Sequence, residues 1–195
     1  MKPDNVTRTI VARAISIVGH PVVLVIIAAL VTASARGATI AQLRLVGGVL
    51  AMLGIVVLAY SGWQVRSGRW SHVDASVPKE RTSLNVFLAI LLLLSATLLW
   101  FLAGRSNMAI ALAFSGAIIL TALLSARWVK VSLHAAFAAF ATALLWPNWI
   151  AVAAGVAVTA AVAWSRLELG RHVAADIAAG LLLGMVAGVG YHSFS

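Results

Sequence analysis

The chain has no cysteine, and only five of its 195 residues are acidic. The first absence excludes disulfides, thiolate metal ligands and cysteine nucleophiles. The second leaves carboxylates too few and too scattered for a pair of magnesium ions. Charge of either sign is scarce, at 10% of residues, against roughly 25% in soluble domains. What replaces it is apolar: 63% of the chain is hydrophobic. Such a composition describes a membrane protein, with residues 1–195 forming a single transmembrane domain. The formal charge of +9 is spread over short loops between apolar runs. That distribution signals topology and lipid headgroup contact rather than nucleic acid.

Apolar runs fall at about 14–33, 45–63, 86–103, 107–126, 133–146, 149–164 and 173–191. Most approach the roughly 20 residues that cross a bilayer, so the predicted fold is all-α, an integral membrane bundle of six or seven transmembrane helices. The stretch from Ser132 to Trp146 is short, reaching roughly 22 Å at about 1.5 Å per residue. It is expected to begin below the membrane surface or to cross a thinned region. Trp146-Pro147-Asn148-Trp149 reads as a tight turn between interfacial tryptophans. Gly180, Gly184 and Gly188, four apart, form a flat stripe for close helix packing. Lys2, Arg8 and Arg13, the apolar Val22 to Val31 and then Ala33-Ser34-Ala35 imitate a cleaved signal peptide. The long basic region and the His20-Pro21 interruption favour a retained first helix.

Three loops carry nearly all the unusual polarity: Gln64 to Asn85, Arg127 to His134, and Ser165 to Asp176. Two apolar segments separate each loop from the next. An even number of crossings returns the chain to its starting side, so all three loops meet at one membrane face.

Ionisable groups beside membrane segments are costly and mark functional sites. In the third loop His172 and Asp176 are four apart, a spacing that puts both on one helix face and lets the carboxylate hold the imidazole. An oriented imidazole beside the guanidinium groups of Arg166 and Arg171 suits phosphate chemistry. The whole pattern, Ser165-Arg166, five residues, His172, three residues, Asp176, resembles the third signature of the type 2 phosphatidic acid phosphatase family, which is related to vanadium haloperoxidases. Lys130-Val131-Ser132-Leu133-His134 resembles that family's Pro-Ser-Gly-His element, with Val131 and Leu133 in place of proline and glycine. The family's Lys, six residues, Arg-Pro element is matched only by Asp74, six residues, Arg81 and Thr82. Arg81 fits; Lys79 or Lys130 is left to supply the lysine's charge.

The resemblance implies a lipid phosphatase that works without metal or other cofactor. His172 would attack phosphorus to form a phosphohistidine, Asp176 would fix its tautomer, and His134 would protonate the departing oxygen and then activate water. Arg81, Lys130, Ser132 and Arg166, with the motif's Ser165, would hold the non-bridging oxygens. The implied partners are the bilayer and a lipid phosphomonoester or diphosphate within it: phosphatidic acid, phosphatidylglycerol phosphate or a polyprenyl phosphate. Oligomeric state stays open.

Plainer readings apply to other residues. His20 and His192 read as interfacial, His72 as exposed, Ser132 as a possible helix cap and Arg171 as a headgroup contact. Arg66, Arg69 and Arg127 read as topology determinants. Two rivals stand beside the phosphatase: a small proton-coupled transporter using His134, His172 and Asp176, and a family member that binds anionic lipid without turnover. Eleven of the 14 lysines and arginines fall on the side of the polar loops, which predicts a cytoplasm-facing site, in a bacterial inner membrane.

Overall fold

The computed structural model describes residues 3–73, 75, 77–104 and 106–195. Among these the chain forms eight α-helices and no strand: α1 (Pro3–Val18), α2 (Pro21–Ala35), α3 (Ile40–Arg66), α4 (Pro78–Ala103), α5 (Asn107–Ser125), α6 (Leu133–Leu144), α7 (Trp149–Glu168) and α8 (Ala174–Phe194). Helices α3, α4, α5, α7 and α8 are each long and apolar enough to cross a membrane, and α1 with α2 meets the same condition only when the bent pair is taken together. The protein is an all-α bundle of the integral membrane class.

The first apolar run, expected as one helix over 14–33, is instead two helices that meet at 51°. Three adjacent residues cause the break. Gly19 packs so closely on the Val162 side chain of α7 that a Cβ there would clash. His20 is extended (φ −63°, ψ 136°) and caps α2, its Nδ1 accepting from the Val22 amide at 3.4 Å. Pro21 then occupies the first turn of α2, where a missing amide proton costs nothing.

The short α6 is the centre of the bundle, with α2, α5, α7 and α8 around it. Every residue from Ala135 to Ala141 is buried. A helix enclosed by protein need not match the bilayer, which explains a length of roughly 18 Å against roughly 30 Å for α7, at about 1.5 Å per residue. Both leave the same turn, where the Trp146 and Trp149 rings meet edge-on at 4.4 Å and Asn148 caps α7 through the Ala151 amide. The start of α6 therefore lies below the end of α7, inside the bundle. The glycine stripe of α8 is the surface on which α6 rests: Gly180 faces the Ser132 carbonyl, Gly184 the Ala136 carbonyl and Gly188 the Ala143 side chain. In contrast α3, which touches α2 and α4, buries only Ser61 and Gln64, both toward its site-side end. Its apolar length is left for lipid.

Candidate active site

The polar face is assembled where α6 and α8 begin and α7 ends. Gly170 turns the chain with φ +61°, a conformation open to glycine at little cost. The chain then runs through Arg171 and His172 to Val173, the N-cap of α8. Asp176, in the first turn, accepts from the Val173 amide at 3.3 Å and meets His172 Nδ1 at 3.1 Å, both through Oδ2. The expected His–Asp pair is thus formed, but His172 precedes the helix and does not share a helix face with Asp176. The carboxylate does two things at once: it caps α8 and holds the ring. Because a carboxylate accepts, the proton sits on Nδ1 and the Nε2 lone pair is left available. Both side chains are nearly enclosed, 10% and 13% exposed.

Burial is the largest influence on His172 and pushes its pKa below the ordinary histidine value. The charges of Arg166 and Lys130 act in the same direction, while the hydrogen bond and charge of Asp176 oppose them. The imidazole therefore stays neutral near pH 7, the form in which nitrogen carries a lone pair.

The second loop is tied to the third by one main-chain and one side-chain hydrogen bond. The Ser132 amide donates to the Asp176 carbonyl at 3.1 Å, and Lys130 Nζ donates to the Arg171 carbonyl at 3.2 Å. Ser132 occupies the N-cap of α6 but makes no side-chain cap hydrogen bond. Its Oγ is fully buried and has no partner, so the capping reading fails. His134 follows on the first turn of α6, half-buried.

Arg166, on the last turn of α7, lies within electrostatic reach of His134 and His172, and feels Arg171 and Arg81 in turn. One terminal nitrogen donates to Ser16 Oγ of α1 at 2.8 Å, while Nε is buried without a partner. Ser165 is buried and donates to the Val162 carbonyl at 2.8 Å, which engages its hydroxyl proton inside α7.

The first loop arrives less directly. Arg81 is exposed on the first turn of α4. Lys79 is exposed too, whereas the Lys130 charge reaches His172. Asp74 lies outside the described residues. The loop's organiser is Glu80, a polar residue of the first loop for which the sequence suggested no role: it is buried and its Oε1 accepts from the Ser71 amide at 2.7 Å. Its signal was present, an acid three residues into a helix behind a proline.

A second residue missed from sequence is His20. Its ring stands edge-on to His134, centroids 5.6 Å apart and planes at 87°, so the interfacial reading does not hold. His192 is likewise engaged, Nε2 meeting the Ala143 carbonyl at 2.8 Å on the far side of the bundle. His72 is exposed, Arg69 lies over the Trp63 ring and Arg127 over Trp128. The chain matches no protein-family model, no curated protein and no solved structure.

Proposed function

We propose that the protein is a membrane lipid phosphatase that hydrolyses a lipid phosphomonoester or diphosphate through a phosphohistidine. One observation carries this reading. Two buried donors, Ser132 Oγ and Arg166 Nε, have no hydrogen-bond partner beside an imidazole held by a carboxylate. Buried polar groups are rarely left unpaired. A tetrahedral oxyanion presented to His172 would satisfy both, and Lys130, Arg81 and the rest of the Arg166 guanidinium add the positive field that phosphoryl transfer needs.

In the first step His172 Nε2 forms a bond to phosphorus as the bond to the lipid oxygen breaks, and His134, which takes up a proton from water as the anionic phosphate binds beside it, gives that proton to the departing oxygen. In the second, water adds to phosphorus while His134 takes a proton from it, and the P–N bond breaks to release phosphate. Asp176 retains the Nδ1 proton throughout and stabilises the ring while it carries the phosphoryl group. Ser165, with its proton engaged by Val162, serves as helix packing in this scheme. The resemblance of the three loops to the type 2 phosphatidic acid phosphatase motifs points the same way. The proton-relay alternative is less well supported, because transporters gather such groups near the midplane of broken helices. Here they sit at helix ends.

The test is phosphate release by purified protein from phosphatidic acid, phosphatidylglycerol phosphate and polyprenyl phosphates and diphosphates, with His172→Ala alongside. Release from at least one substrate, lost in the variant, supports the reading. Tight binding of these lipids without release identifies a non-catalytic binder. Full activity in His172→Ala would sink the mechanism.

A further inference from the structure

Among the described residues no hydrogen bond holds the ring of His134, the general acid of the proposed reaction, yet a proton donor must be aimed. Three ionisable neighbours lie within electrostatic reach of it: Arg166 from α7, His172 from the α7–α8 turn and His20 from the α1–α2 break. Of these only His20 makes ring contact, edge-on at 5.6 Å. The geometry points to His20 as a positioning residue for His134, and to the α1–α2 break as a fourth element of the site; this rests on the phosphatase reading above.

Three features make the contact a built one. First, Gly19 lets the break sit directly on α7, where a Cβ would meet Val162. Second, the ring of His20 is fixed. Its Nδ1 accepts from the Val22 amide at 3.4 Å, so the proton of the neutral ring is on Nε2. Third, α1 is pinned over the site by two side-chain contacts: Ser16 Oγ with Arg166 at 2.8 Å, and Arg8 with Glu168 at 2.8 Å. The residues flanking the break thus touch both groups proposed to act on the phosphate, Arg166 through Ser16 and His134 through His20. Edge-to-face ring pairs favour one relative orientation. A ring that aims a proton donor raises the rate of the step that uses the proton and leaves substrate binding unchanged.

Two variants separate positioning from simple helix capping. Asparagine caps a helix well but has no ring; phenylalanine has a ring but cannot cap. With an alkyl lipid phosphate, His20→Asn should lower kcat roughly tenfold or more at unchanged KM, while His20→Phe stays within about threefold of wild type. With an activated aryl phosphate, whose leaving group needs no proton, both variants should stay within about twofold. The reverse ranking, Asn active and Phe impaired, reduces His20 to a cap and overturns the proposal. Equal activity of wild type and both variants overturns it as well. A readout free of turnover keeps the proposal testable if the phosphatase reading itself fails. The chain has five histidines, so ring-labelled protein gives five assignable Cε1 resonances. That of His134 should be averaged over rotamers in His20→Asn and remain well ordered in His20→Phe. An unchanged His134 resonance in the Asn variant refutes positioning whatever the enzyme does.

Discussion

The backbone amide of Ser132 donates to the backbone carbonyl of Asp176 at 3.1 Å. This bond joins the start of α6 to the first turn of α8, so the unpartnered serine and the carboxylate that holds His172 are spaced by main chain. Beneath it the Ser132 carbonyl lies against Gly180, where a Cβ would stand 2.5 Å away. Nothing there is a flexible side chain end that could give way. Gly180→Ala must therefore push α6 from α8 at the level of the site. Overpacking of this kind costs about 1–3 kcal/mol. Thermal unfolding in detergent should show that loss, together with a fall in kcat larger than the fall in folded fraction. Wild-type activity in Gly180→Ala would separate the α6–α8 contact from the chemistry.

A second prediction concerns His134. Replacing it with alanine should cost on the order of 10²–10⁴ in rate with alkyl lipid phosphates, the usual worth of a positioned acid. With an aryl phosphate the loss should be much smaller, since the phenolate departs unprotonated. Steady-state rates on the two substrates measure the difference. Equal losses would rule out proton donation to the leaving group.

The pH profile follows from His172. Attack requires the neutral ring, and burial first, then Arg166 and Lys130, depress its pKa. The acid limb of kcat/KM, which reports the free enzyme, should therefore lie below the ordinary histidine value. Asp176 opposes the depression, so Asp176→Asn removes an upward influence. Its acid limb should move further toward low pH while the maximum rate falls, because the tautomer is no longer fixed. A limb that moves up in the variant would show that another group titrates.

Inhibition gives a fourth expectation. Vanadate readily becomes five-coordinate and should compete with substrate at His172. EDTA should leave activity unchanged, because the described carboxylates near the site are already engaged: Asp176 with His172, Glu168 with Arg8 and Glu80 with the Ser71 amide. Activity lost in EDTA and restored by magnesium would require a different catalyst.

Much of this fold could be read from the apolar runs, since a span hydrophobic all round needs little tertiary context. The gathering of the second and third loops followed from counting crossings alone. The failures have physical causes. Helices α3 and α4 run past their apolar cores into Gln64, Arg66 and the Pro78–Asn85 stretch, because helices continue where polar side chains reach water or one another. Gln64 and Tyr60 do so, bonded at 2.8 Å. Helix α1 mixes basic and apolar residues, so no unbroken apolar run marked it as a separate helix lying on α7. The expected helix face shared by His172 and Asp176 gave way to Gly170, which ends α7 and postpones α8. His20 was unreadable because its meaning depends on a partner 114 positions away, a contact that no local pattern encodes.

The last prediction concerns orientation. Helices α3 to α8 alternate so that α8 starts at the polar face and ends on the opposite one, leaving Ser71 and Ser195 on different sides. By the order of the apolar runs in the sequence, Arg36, Arg44 and Arg105 are expected on the far side and the other eleven of the 14 lysines and arginines on the side of the site. Arg81, Lys130 and Arg166 are proposed ligands and owe their place to chemistry; without them the bias is still eight to three. Basic residues flanking short-loop helix ends are retained in the cytoplasm. The site should accordingly face the cytoplasm, where newly synthesised lipid phosphates are presented, with the carboxyl terminus outside. Ser71 and Ser195 are both exposed in a chain free of cysteine, so a single cysteine at either position reports its side. A membrane-impermeant maleimide applied to intact cells should label Ser195→Cys and spare Ser71→Cys until the cells are opened. Labelling of Ser71→Cys alone would turn the protein over and place its chemistry on the outer leaflet.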